Sequence, residues 1–198
     1  AAMAHQYMSD HSMFDSNELN NARFISLLGD AELDEGTIWE AIADPAMQGI
    51  NNIIWIVDLN RQSLDRIIPN IRVKTWRQMF EANDWNVVDA KYGKKLEDVF
   101  NLPNGELMKN AIDDMPNELY QRLLRKSEAL REWLPKSVEN SSDMEKLISD
   151  FDENELYDIF SNLGGHDFYS LDKAFKNAIN SDKPTVIFAY TLKGWNLP

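Results

Sequence analysis

Two short apolar runs, each closed by polar residues, constrain the fold of this 198-residue chain more than any other feature. The first run covers residues 24–28 and leads into Asp30, and the second covers residues 53–57 and leads into Asn60. Continuous apolar runs of this length are typical of strands that are buried on both faces of a parallel sheet. The amphipathic segment between them is long enough for a crossover helix, so the pattern predicts a β-α-β unit.

The predicted β-α-β unit brings two oxygen-bearing side chains together. A right-handed crossover places the carboxyl ends of both strands at one edge of the sheet, where α/β proteins bind nucleotide-like ligands. Asp30 offers an anionic oxygen and Asn60 an amide oxygen, and Mg²⁺ prefers oxygen ligands completed by phosphates. Taken singly, either residue is also typical of an ordinary turn. Their joint spacing nevertheless favours a site for Mg²⁺ and a diphosphate.

The rest of the chain extends this α/β pattern. Residues 86–90 and 184–190 are predicted strands, so we expect a parallel sheet flanked by helices. If the last strand is parallel, Thr191, Leu192 and Lys193 follow it to the same edge. The remaining predicted helices cover residues 1–14, 38–43, 73–85 and 168–179, and the acidic stretch from about 97 to 162 is helical with proline interruptions.

Composition excludes several functional classes. The net charge of −13 and the lack of a clustered basic stripe argue against nucleic-acid binding. No apolar run approaches the ~20 residues of a membrane span. With no cysteine in the chain, thiolate chemistry is excluded and a cytoplasmic setting is expected. The first residues contain no signal peptide and the motif strand follows closely, which indicates an internal piece of a larger protein.

Three blocks carry a family resemblance: GDAELDEG with the later NNIIWIVDLNRQ, then NLGGHDFYSLDKAFKNAI, and finally KPTVIFAYTLKGW. The first resembles the thiamine diphosphate motif, and all three in this order resemble the homodimeric first (decarboxylating) component of pyruvate dehydrogenase, in the transketolase-like superfamily. The resemblance covers both ends of the chain and is weakest between residues 97 and 162. It implies a single thiamine diphosphate-binding domain over residues 1–198, with a helical acidic insertion at about 97–162.

The resemblance also implies a set of site residues. The Mg²⁺ ligands would be Asp30, Asn60 and the main-chain carbonyl of Gln62. The residues implied to bind the cofactor are Gly29, Asp30, Ala31, Glu32, Asn60, Gln62, Leu64 and Lys193. One departure is Ala31, which stands at the second glycine of the GDG pattern, adds a methyl group and resists positive φ. No residue of the chain is assigned a catalytic role.

Several of these residues have a plainer interpretation. Lys193 also fits a solvent-facing lysine after a strand, and Leu64 ordinary packing. His166 has a pKa near neutrality by default, but its GGHD setting favours a structural turn over acid–base catalysis. The acidic residues between 139 and 155 are expected on the surface or under a neighbouring subunit.

The implied function is that of half an active site. In this superfamily a pyrimidine-binding domain, from the same full-length protein or its dimer mate, completes the site. We therefore expect this chain to be inactive alone and the complete protein to decarboxylate pyruvate oxidatively, passing the acetyl group to a lipoyl-bearing acyltransferase. A transketolase-type ketol transferase and a noncatalytic assembly or regulatory domain remain alternatives. A Rossmann-like nucleotide domain is the weakest, because no G-x-G-x-x-G or P-loop is present.

Overall fold

The computed structural model describes residues 1–13, 22–47, 49–60, 62–63, 66–67, 73–125 and 128–195. The strands in these ranges are β1 Phe24–Gly29, β2 Ile53–Leu59, β3 Gln62–Ser63, β4 Arg66–Ile67, β5 Asn86–Ala90 and β6 Thr185–Tyr190. The α-helices are α1 Ala2–Asp10, α2 Gly36–Ile42, α3 Val73–Ala82, α4 Lys94–Phe100, α5 Gly105–Asp113, α6 Asn117–Leu124, α7 Glu128–Lys136, α8 Ser141–Ser149, α9 Glu153–Phe160 and α10 Phe168–Ile179. Short 3₁₀ helices cover Asp30–Asp34, Pro45–Met47 and Gly164–His166.

The main sheet of the described chain has four strands in the order β1-β2-β6-β5, all parallel. This confirms the predicted α/β architecture. In the register, Gly29 of β1 lies opposite Asp58 of β2, and Asp58 lies opposite Ala189 of β6. The strands therefore end side by side. A separate antiparallel pair, β3 with β4, follows β2 in the chain.

Alternation along β2 divides the buried side chains between two faces of the sheet. Ile54 and Ile56 face a small cluster that also contains Ala174 and Ala178 of α10. Helix α10 packs on β5 and β6 and does not cover the outer strand β1. The side chain of Leu27 in β1 is therefore 72% exposed.

The opposite face of the sheet carries the principal core, with aromatic rings at its centre. Phe80 of α3 is completely buried. Its ring centroid lies 5.4 Å from those of Trp39 and Trp85 and 5.9 Å from that of Phe188. These tilted and edge-on arrangements are the ones that aromatic pairs prefer. The cluster joins α2, α3 and the strands into one packed unit.

The helices between residues 94 and 160 share this principal core. Leu130, Met144 and Phe160 are fully buried within the same cluster as the sheet residues. The segment begins and ends at one place, because Tyr92 pairs with Leu163 and the Gly93 N–H donates to the Asn162 carbonyl at 2.8 Å. The assignment of one domain over residues 1–198, with an insertion at 97–162, remains a prediction.

Helix boundaries follow local signals. Helix α10 covers residues 168–179 as predicted, and the Asp167 carboxylate caps it by accepting the Ser170 N–H at 2.9 Å. Helix α3 ends at Ala82 rather than near residue 85, because Asp84 adopts a left-handed φ of 63°. None of the helices in the described ranges is long and apolar enough to cross a membrane.

The N-terminal helix α1 differs from expectation at His5. A histidine this close to the N-terminus is expected to face solvent, but the ring of His5 lies edge-on to that of Phe24, with centroids 5.6 Å apart. Its Nδ1 also lies 3.2 Å from the amide nitrogen of Asn52, immediately before β2. Helix α1 is therefore attached to the amino ends of β1 and β2.

Replacement of the central core aromatic tests this packing. We expect Phe80→Ala to lower the free energy of unfolding by about 3–5 kcal/mol, because it leaves a cavity among surrounding rings. Phe168→Ala is the matched control, since Phe168 is 90% exposed and its loss should stay within about 0.5 kcal/mol. Urea unfolding followed by circular dichroism measures both. Equal losses in the two variants would contradict the assigned core.

Candidate functional site

The candidate site lies at the carboxyl edge of the main sheet, where β1, β2 and β6 end together. The register that pairs Gly29 with Asp58 also pairs Leu59 with Tyr190. The Thr191 N–H then donates to the Leu59 carbonyl at 3.3 Å, which continues the alignment past the last strand residue. The chain thus brings the segments containing Asp30, Asn60 and Lys193 to one edge, as the sequence predicted.

The first of these segments is the 3₁₀ helix that begins directly after β1. Asp30 is its first residue and is only 6% exposed. The Glu32 carboxylate accepts the Gly29 N–H at 3.0 Å and so fixes the turn between strand and helix. The helix lies against both β2 and β3. The first N–H groups of a helix have no partner within the helix, and such groups favour anions.

Ala31 causes less backbone conflict than its departure from the GDG pattern suggested. Among the described residues other than glycine, positive φ angles occur at Ser12, Asp84 and Asn104, and Ala31 is not one of them. Its methyl group lies on the exposed side of the 3₁₀ helix. An alanine therefore fits this turn without strain.

Asp58 organises the ends of β2 and β6. Its carboxylate accepts a hydrogen bond from the Asn60 amide at 3.1 Å, and another from the Thr191 hydroxyl. Because the amide nitrogen of Asn60 faces Asp58, its carbonyl oxygen is directed to the other side of the group. That oxygen is the atom a cation would use.

Lys193 lies at the tip of a tight turn after β6. The Trp195 N–H donates to the Leu192 carbonyl at 3.2 Å and closes the turn. Gly194 has a φ of 75°, a conformation that glycine adopts without steric cost. Lys193 is exposed, so its position depends on how this turn is held.

His166 holds that turn from the neighbouring segment. Its Nε2 accepts the Leu192 N–H at 2.7 Å, and its ring stacks on Trp195 with centroids 4.6 Å apart and planes 14° from parallel. Burial lowers the pKa of His166, while the nearby Asp58 carboxylate opposes part of that effect. A neutral ring with the proton on Nδ1 matches the acceptor role of Nε2.

Two glycines allow His166 to come this close. A Cβ atom on Gly164 would lie 2.4 Å from the Ala90 carbonyl oxygen. A Cβ on Gly165 would lie 2.5 Å from the Tyr190 carbonyl oxygen. The GGHD segment therefore packs its backbone directly on the ends of β5 and β6, which no larger residue permits.

A cleft adjoins Asn60 between the edge of the sheet and helices α5 and α6. It encloses about 440 Å³ of empty space, part of which is open to solvent. Its walls are mostly apolar, with Lys91 and Asn60 among the polar groups. The lining residues are Leu59, Asn60, Lys91, Tyr92, Ile112, Met115, Tyr120, Gln121, Leu163, Tyr190, Thr191 and Leu192.

Most of the predicted site residues lie at the shared edge of the sheet. Gly29, Asp30, Ala31, Glu32, Asn60 and Lys193 all lie at the shared edge, and Gln62 lies in β3 next to the 3₁₀ helix. Leu64 falls outside the described residues. No cluster of three or more His, Cys, Asp or Glu side chains suited to a metal occurs in the described ranges. The cofactor and metal roles therefore stay predictions.

Sequence reasoning gave no role to two residues at this edge, Asp58 and Thr191. For His166 it predicted a structural turn, to which the structure adds contacts with Leu192 and Trp195. The position of Asp58 could have been inferred from the parallel register alone. The contacts of His166 could not, because they join residues 26 positions apart across different elements.

The first half of the chain matches a known protein family. Residues 1–104 match the family model of the transketolase thiamine diphosphate binding domain, which is more than half of the chain. The chain belongs to this family. The matched part of the thiamine diphosphate-binding domain contains β1, β2 and β5, and with them Asp30 and Asn60.

Three curated relatives extend the similarity beyond residue 104. The chain is 27% identical to the pyruvate dehydrogenase E1 component of Pseudomonas aeruginosa over 85% of its length, covering 19% of that protein. Identity to the component of Escherichia coli (strain K12) is 26%, over 87% of this chain and 19% of the relative. Identity to the component of Corynebacterium glutamicum is 24%, over 99% of this chain and 21% of the relative. The chain thus spans about a fifth of the length of these relatives.

The close approach of the GGHD segment is testable by mutation. We expect Gly165→Ala to lower the free energy of unfolding by about 1–3 kcal/mol, because the new methyl group collides with the end of β6. Gly36→Ala is the control, since a Cβ there meets nothing within 4 Å. Urea unfolding compares the two. Equal stability of both variants would contradict the packing of Gly165.

Proposed function

We propose that this chain is the Mg²⁺- and diphosphate-binding half of a thiamine diphosphate-dependent enzyme. The observation that carries the proposal is the common edge shared by Asp30 and Asn60 within a domain of this family. Neither residue alone is diagnostic, but a buried carboxylate and an oriented amide at adjacent strand ends form a suitable pair of ligands.

The residues present fit a hydrated Mg²⁺ bound to a diphosphate. Asp30, Asn60 and the Gln62 carbonyl would supply three protein oxygens, and diphosphate and water oxygens would complete the shell. The hydrogen bond from Asn60 to Asp58 orients the amide, because its nitrogen faces the Asp58 carboxylate and its oxygen faces away from it. The amides of Ala31 and Glu32 would receive the diphosphate at a helix start. Lys193 would offset negative charge that one Mg²⁺ leaves.

Thiamine diphosphate, when bound, would supply the nucleophilic carbon and the electron sink needed to decarboxylate a 2-oxo acid. The role of this chain would be to hold the diphosphate end and so fix the orientation of the ring system. We propose that a pyrimidine-binding domain, from the same full-length protein or its mate in a homodimer, completes the site. The isolated chain would then be inactive.

Pyruvate is the substrate that we propose for the complete protein, acting in the cytoplasm. The relatives at 24–27% identity are named pyruvate dehydrogenase E1 components, which favours this reaction over ketol transfer between sugar phosphates. The acetyl group would pass to a lipoyl-bearing acyltransferase. Leu64, on the predicted thiazolium side, belongs to this proposal as well.

Calorimetric titration with thiamine diphosphate and Mg²⁺ tests the metal site. We expect Asp30→Ala and Asn60→Ala each to weaken binding at least about a hundredfold, because a direct ligand matters no less than the outer-shell groups around it. EDTA should abolish binding by the unaltered chain. Asp34→Asn is the matched control, since Asp34 lies exposed in the same 3₁₀ helix.

The titration is repeated with the full-length protein, because the proposed partner domain would contribute part of the cofactor contacts. If the isolated chain binds nothing, the same variants are tested in the full-length protein. Metal-dependent binding there, lost in both site variants, supports the proposal. If the full-length protein binds no thiamine diphosphate, the result would favour the noncatalytic alternative.

The alanine of the GDG-like turn gives a further prediction. We expect Ala31→Gly to change the affinity for thiamine diphosphate by less than about threefold, since Ala31 already has an ordinary φ. Ala46→Gly, on an exposed 3₁₀ helix away from the edge, controls for nonspecific effects of added glycine. Tightening of tenfold or more in Ala31→Gly alone would mean that the methyl group obstructs the diphosphate.

A further inference from the structure

One imidazole ring contacts the turn that contains Lys193 both before and after the lysine. His166 accepts the N–H of Leu192, the residue just before Lys193, at 2.7 Å. The same ring stacks on Trp195, two residues after Lys193. The Leu192 N–H bond fixes the backbone at the start of the turn, and the stacked rings fix its end.

Several contacts hold the segment on either side of His166. Gly164 donates its N–H to the Lys91 carbonyl at 3.0 Å, and both glycines pack on strand ends. Asp167 caps α10 immediately after the histidine. The segment that contains His166 is therefore held by the sheet and by α10, and not by the turn that the imidazole contacts.

A second anchor keeps the start of the same segment in place. The Thr191 hydroxyl donates to Asp58, which also receives the Asn60 amide. Residues 191–195 are thus tied to β2 at one end and to His166 at the other. A lysine side chain is flexible and pays rotamer entropy on binding, so a fixed backbone beneath it limits what must be ordered.

We infer that His166 is a positioning residue that holds the 192–195 turn so that Lys193 reaches a bound diphosphate. This inference rests on the proposed function, since it takes the diphosphate role of Lys193 as given. The decisive atom is Nε2 as an acceptor for the Leu192 N–H, with the stacked Trp195 as a second contact. His166 then acts through Lys193 and does not itself touch the ligand.

The test uses the full-length protein with inorganic diphosphate and Mg²⁺ as the probe. His166→Phe keeps a ring to stack on Trp195 but removes the acceptor, and we expect about a tenfold loss of diphosphate affinity. His166→Gln supplies a replacement acceptor and should bind within about threefold of the unaltered chain. His11→Phe, which alters an exposed histidine immediately after α1, is the matched control and should bind normally.

A double-mutant cycle separates positioning from a direct role. Lys193→Ala should weaken diphosphate binding, and adding His166→Phe to it should cause no further loss, because the two residues act through one contact. Full additivity of the two losses would overturn the inference. So would normal affinity in His166→Phe beside a loss in Lys193→Ala. Unchanged affinity in Lys193→Ala would also overturn the inference, and it would remove Lys193 from the proposed function without affecting the proposed ligands Asp30 and Asn60.

Tryptophan emission reports on the turn without any ligand. The chain has six tryptophans, so subtracting the spectrum of Trp195→Phe isolates the signal of Trp195. His166→Ala removes both contacts, and the Trp195 emission should then shift to longer wavelength as the indole becomes more exposed. An unshifted Trp195 signal would overturn the inference even if diphosphate binding changed. Circular dichroism confirms that each variant remains folded.

Discussion

The parallel register of β1, β2 and β6 is the constraint on which the candidate site depends. Gly29, Asp58 and Ala189 form one row across the sheet, so the chain leaves all three strands at the same height. Residues far apart in sequence become neighbours for this reason alone. Asp30 and Asn60 are 30 positions apart, and nothing local to either segment would bring them together.

The residues beyond that row are held by contacts between segments. Asp58 joins the end of β2 to Thr191, and His166 joins the start of α10 to the turn after β6. The helices from residue 94 to residue 160 leave and rejoin the sheet at one closed point, beside Gly164. The two ends of this large helical segment therefore meet beside the GGHD residues, although most of the segment is far along the chain from the site.

Much of this architecture was predictable from the sequence. The sequence predicted strands at β1, β2, β5 and β6, and the crossover pattern predicted that β1 and β2 run parallel. The order β1-β2-β6-β5 was not predicted. The edge position of Asp30, Asn60 and Lys193 needed only the rule that parallel strands end together. The role of His166 was beyond reach, because it depends on side-chain contacts between elements whose relative positions a linear pattern does not contain. Helix ends were missed by a few residues where a single left-handed residue such as Asp84 decides them.

Asp58 has a consequence for folding fidelity as well as for the site. It stands on the α10 side of a strand whose neighbouring residue, Val57, is completely buried on the other side. A slip of one position in strand pairing would exchange the two faces and drive a carboxylate into the principal core, away from the Thr191 hydroxyl. An unpaired charge in such surroundings costs several kcal/mol. The same carboxylate that aligns the site therefore penalises a one-position slip of β2 during folding.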